Sequence, residues 1–127
     1  MIRLFLLPVL ALALHAADLT GKWIGTVDVA DPTNGDKIST PVRAALKQDG
    51  SAVSGQIGRV QDTNLESIRD GKVTGKILTF NVLPEEASKP LVFTLTVVSD
   101  DRIEGSMAGE IADAGKIQGK VVLTRSK

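Results

Sequence analysis

The chain has 127 residues, with 15 Lys plus Arg against 15 Asp plus Glu, and no net charge to draw it to nucleic acid or to an anionic surface. Cysteine and tyrosine are absent, the only histidine is His15, and one Trp and three Phe are the whole aromatic content. That scarcity excludes stacking platforms for single strands and disulfide staples, so whatever folds here folds on its core alone.

Met1-Ile2-Arg3 supplies one positive charge, residues 4–14 are apolar apart from Pro8, and His15-Ala16-Ala17 brings small residues just before polar sequence begins. This pattern is that of a secretory signal peptide over 1–16, with Ala17 as a competing cleavage point, and it predicts a secreted or periplasmic protein. No later run approaches the roughly 20 apolar residues of a membrane-spanning helix. Residues 17–127 then form a single domain without histidine, cysteine or tyrosine. Histidine-based nucleophiles, thiol redox chemistry and His/Cys metal sites are excluded, and neither a catalytic residue nor a cofactor is expected.

The mature chain opens with Leu19 to Val29, in which Leu19, Gly21, Trp23, Gly25, Val27 and Val29 alternate with Thr20, Lys22, Thr26 and Asp28. That period of two marks a half-buried strand, with Ile24 the exception on its polar face. The glycines beside Trp23 are expected to leave room for its indole. Ile38, Thr40, Val42, Ala44 and Leu46 share a face next, and Pro41 predicts that this strand lies at an edge or is bulged there. Asp49-Gly50 is a hairpin turn, and Val53, Gly55 and Ile57 return from it. A looser stretch over 61–66 precedes a strand over 68–73, Gly75-Lys76 reverses the chain, and Leu78, Phe80 and Val82 share a face. After a polar loop through Glu85 and Glu86, Leu91, Phe93, Leu95 and Val97 alternate, Asp100-Asp101 turns the chain, and Ile103, Gly105 and Met107 return. Ile117, Gly119, Val121 and Leu123 close the sequence.

The count is eight strands without a convincing helix, which predicts an antiparallel up-and-down β-barrel, with a two-sheet β-sandwich as the alternative. Connections near 30–37, 60–66, 83–89 and 109–116 read as long, and those between them as tight. In a meander the long ones share one rim and the tight ones the other. The long-loop rim is expected to be acidic, through Asp31, Asp36, Asp62, Glu66, Glu85, Glu86, Glu110 and Asp113. Basic residues gather at the tight-turn end, including Lys22, Lys47, Lys72, Lys76 and Arg102, beside Asp49, Asp70, Asp100 and Asp101. Asp28, Asp31, Asn34 and Asp36 carry oxygen ligands, but their spacing is not that of an EF-hand and suits a plain turn. Adjacent Glu85 and Glu86 do not specify two facing acids of a glycosidase.

Gly21-Lys22-Trp23 at the head of the first strand resembles the Gly-x-Trp signature of the lipocalins, within the calycin group. The resemblance implies that Trp23 sits at the closed end and that Arg125, near the end of the last strand, packs across it as a cation-π contact. The Leu-Thr-Gly-Lys-Trp segment is also similar to the N-terminus of small secreted bacterial proteins that carry no assigned activity.

Two functional readings stand. In the first, the barrel binds a small apolar ligand that enters at the long-loop end and is walled by Leu46, Ile57, Phe80, Phe93, Leu95 and Met107. In the second, a filled barrel acts as a protein-interaction, inhibitor or envelope module through an acidic rim that includes Asp62, Glu85 and Glu86. In both, the protein is expected to be non-enzymatic, with a monomer favoured over an oligomer, and its structural residues are Gly21, Trp23 and Arg125.

Overall fold

The computed structural model describes residues 18–30, 35–84, 89–111 and 115–126. They form one antiparallel sheet: β1 (Gly21–Ala30), β2 (Lys37–Asp49), β3 (Ala52–Arg59), β4 (Glu66–Ser67), β5 (Arg69–Thr74), β6 (Ile77–Val82), β7 (Leu91–Ser99), β8 (Arg102–Ile111) and β9 (Gly115–Arg125). The short β4 and β5 both lie against β3, so together they make one position, and each other strand lies beside its neighbour in sequence. Closure comes from β1 pairing with β9, from Trp23 opposite Arg125 to Val29 opposite Gly119. The result is a closed, eight-stranded up-and-down barrel.

Alternation decides what faces inward. Trp23, Val42, Ala44, Leu46, Val53, Ile57, Leu78, Phe80, Phe93, Leu95, Ile103, Met107, Val121 and Leu123 are buried in one continuous core. Ile24 points outward and is 49% exposed, as its place on the polar face of β1 requires. The glycines of β1 have a different use from the one expected of them. A Cβ on Gly25 would sit 1.8 Å from the Val122 carbonyl oxygen, and one on Gly21 would meet the Arg125 guanidinium at 3.1 Å. They admit the backbone of β9 and the side chain of Arg125, rather than the indole.

The connection between β8 and β9 is shorter than expected, because β8 runs to Ile111 and β9 starts at Gly115. Glu110 and Lys116 are therefore cross-strand partners rather than loop residues. Strand pairing simply outlasts the apolar alternation that marks it in sequence. Asp70 also lies elsewhere than expected, toward the long-loop end, where its carboxylate accepts a hydrogen bond from Asn81. It adopts a left-handed φ of 54° within a bulge between Arg69 and Lys72.

The tight-turn end is plugged. Leu19 is fully buried below Trp23, its carbonyl accepts the indole N–H at 2.9 Å, and its own N–H donates to Gln48 Oε1 at 2.9 Å. The Arg125 guanidinium lies 4.5 Å from the Trp23 ring centroid, as the lipocalin resemblance implied. It donates to the carbonyls of Asp18, Thr20 and Asp100, and pairs with Asp101 at 3.4 Å. A planar fork with several N–H groups meets this many acceptors while stacked; a lysine does not.

Candidate interaction surface at the open rim

The six residues expected to wall a cavity are all in the core. Leu46 is 5% exposed, Ile57 4%, Phe80 2%, Phe93 5%, Leu95 0% and Met107 4%. Almost none of their surface is open to water, whether from outside or from within, so they pack against one another. Phe80 and Phe93 stack with centroids 4.7 Å apart, one above the other on paired strands. Toward the rim the burial loosens: Val27, Val29, Leu91 and Ile117 are only partly covered, and Ile38 is 50% exposed. A groove of about 530 Å³ lies on the outer surface of the rim, over Val92 and Ala108 between Lys89, Glu110 and Lys116.

Of the acidic rim residues, Asp31, Glu85, Glu86 and Asp113 lie outside the described residues, as does Asn34 of the turn beside them. Asp62 is described and is turned to internal use. Its carboxylate accepts hydrogen bonds from the Arg59 main-chain N–H at 3.0 Å and from the Arg59 guanidinium, with which it forms an ion pair at 3.0 Å. The Arg59 guanidinium and amide hold its pKa below the ordinary aspartate value. Its carbonyl accepts from Arg43 Nη2 at 2.8 Å. Gly58 makes this possible, since a Cβ there would meet Leu65 at 2.9 Å and the Asp62 carboxylate at 3.2 Å. Residues 60–65 are thus a strap laid against the outer face of β2 and β3. Arg43 Nε and Asp28 Oδ1 are buried with no hydrogen-bond partner among the described residues, and nothing in the structure accounts for either. Among the described residues no group of three or more His, Cys, Asp or Glu is placed to hold a metal ion.

Sequence reasoning missed why the strap exists. The β2 and β3 register runs from Asp49 opposite Ala52 to Val42 opposite Arg59. The next pair outward is Pro41 and Val60, where Val60 N donates to Pro41 O at 3.0 Å. Proline has no N–H to return, so the ladder ends and β3 leaves the sheet. The signal was Pro41 itself, which correctly marked an edge. β2 continues to Lys37 paired only with β1, and residues 37–40 have no strand on their other side among the described residues.

No protein-family model matches the chain, and no curated protein is significantly similar to it. The architecture agrees with a lipocalin-like barrel without showing membership of that family.

Proposed function

We propose that this protein is an extracytoplasmic, non-enzymatic recognition module: a filled barrel that serves as a rigid frame and presents its open rim to another macromolecule. The observation that carries this reading is the burial of Leu46, Ile57, Phe80, Phe93, Leu95 and Met107 against each other, with Leu95 at 0% exposure. A carrier of apolar ligands needs an interior on the order of 300 Å³ or more. The packed aromatic pair and the plugged end support a solid interior at native density instead. Extracytoplasmic placement rests on the N-terminal leader pattern.

Titration of the native protein with 1-anilinonaphthalene-8-sulfonate tests it. The expected result is no saturable fluorescence gain. Stoichiometric binding that is reduced by Met107→Trp would overturn the reading in favour of a ligand carrier.

A further inference from the structure

We propose that the free edge of β2 at residues 37–40 docks an extended peptide segment of another protein, which adds as the strand that β3 does not supply there. The inference rests on the rim being a recognition surface and names the class of partner. A closed barrel normally has no edge to offer, because every strand is paired on both sides. Here the ring opens locally where Pro41 ends the β2 and β3 ladder.

Hydrogen-bond direction follows from one observed contact. The Pro41 carbonyl points toward β3, since it accepts from Val60 N. In a strand the N–H and C=O of alternate residues point to the same side. Ser39 and Lys37 therefore direct their N–H and C=O groups to the vacant side, while Ile38 and Thr40 direct theirs to β1, opposite Val29 and Val27. Two donors and two acceptors stand in a row with no described strand against them.

The side chains specify more than the backbone does. Ile38 belongs to the inward row of Val42, Ala44 and Leu46, yet it is 50% exposed, with β1 on one side and no described strand on the other. An apolar residue on the added strand would cover it. Lys37 is on the outward row, exposed, and makes no ion pair among the described residues, whereas the neighbouring Asp36 is already engaged. Asp28, the other nearby acid, lies one strand away, opposite Ser39. A carboxylate on the outward face of the incoming strand complements Lys37.

A second copy of the chain fits less well. So short an edge falls far below the roughly 1,200 Å² that stable interfaces bury. A twofold axis at Ser39 would also set each Lys37 against a Pro41 that cannot donate. An isolated extended peptide, held by backbone bonds and one or two side chains, matches the dimensions.

The experiment is an NMR titration of the isotope-labelled protein with the blocked peptide Thr-Val-Glu-Val-Thr-Val. Saturable amide shifts at Lys37, Ile38, Ser39 and Thr40 are expected, with slowed exchange at Lys37 and Ser39. A peptide N-methylated at alternate residues should lose binding by about ten-fold or more, equivalent to roughly 1.4 kcal/mol. Ser39→Pro removes a donor that faces no internal partner, and should weaken binding as much at unchanged Tm; if that variant fails to fold, the N-methylated peptide decides alone. Lys37→Glu should favour a peptide with lysine in place of glutamate. No shifts at millimolar peptide, shifts elsewhere, or equal binding of the N-methylated peptide would overturn the proposal. Concentration-dependent shifts without peptide would overturn it in favour of self-pairing. The apolar-probe titration is independent of all these results, so failure of the edge and failure of the filled-barrel reading are separately visible.

Discussion

Arg125 joins three parts of the chain that are distant in sequence: the segment before β1, the turn after β7 and the face of Trp23. Lysine carries the same charge but neither the fork nor the flat face, so Arg125→Lys is expected to cost about 2 kcal/mol, read as a lower Tm by scanning calorimetry. An unchanged Tm would show that the stack and its carbonyl contacts contribute nothing net. Gly25→Ala is expected to be worse, because the clash is with the Val122 carbonyl of the neighbouring strand and not with a side chain that can swing aside. A loss above about 3 kcal/mol, or failure to fold, is the predicted outcome on urea denaturation. Trp23 and Arg125 were legible through the lipocalin resemblance, which Gly21-Lys22-Trp23 carries and which implies an arginine from the last strand across the indole. The role of Gly25 was not, since nothing local to β1 reveals how closely β9 approaches it.

Strand existence was legible nearly throughout, because one buried face imposes a period of two that apolar residues keep even in short strands. The ends were not. Glu110 and Lys116 carry no apolar signal, yet backbone pairing extends through them to Ile111 and Gly115. The β4 and β5 region was the least legible, since its irregularity lies in the backbone: a left-handed Asp70, a bulge, and ladder pairing with β3 at a few residues, Gln56 and Ile57 with β4 and Ala52 with β5. A seam with so few paired residues opens at the lowest free energy. Amides of residues 66–72 are therefore expected to exchange with deuterium faster than those of β8 and β9, whose ladder is unbroken from Arg102 to Ile111. Equal protection across both regions would show that the seam is as stable as the rest.

At the scale of the whole molecule, three acids bind their protons less readily when folded. Asp18 is held down by the Thr20 amide, Asp62 by Arg59 and Glu104 by Arg102. A lowered folded pKa stabilises the protein above the unfolded values of 3.8 and 4.5, and that contribution is lost as pH falls through the folded values. Stability to urea should thus be flat from pH 7 to about 5 and decline below about 4, with the slope reduced in Asp62→Asn; an undiminished slope would remove Asp62 from the account. All three groups are at the surface, so salt should blunt the effect. The barrel's closure has a separate bearing on biogenesis. Trp23 lies in the first strand but is covered by Arg125 in the last, and the two strands pair directly. A nascent chain cannot complete the cover over its only tryptophan until β9 has been made. Closure of the ring by β1 and β9 is a long-range pairing, slower to form than the hairpins around it, and the tryptophan emission spectrum reports the moment at which it forms.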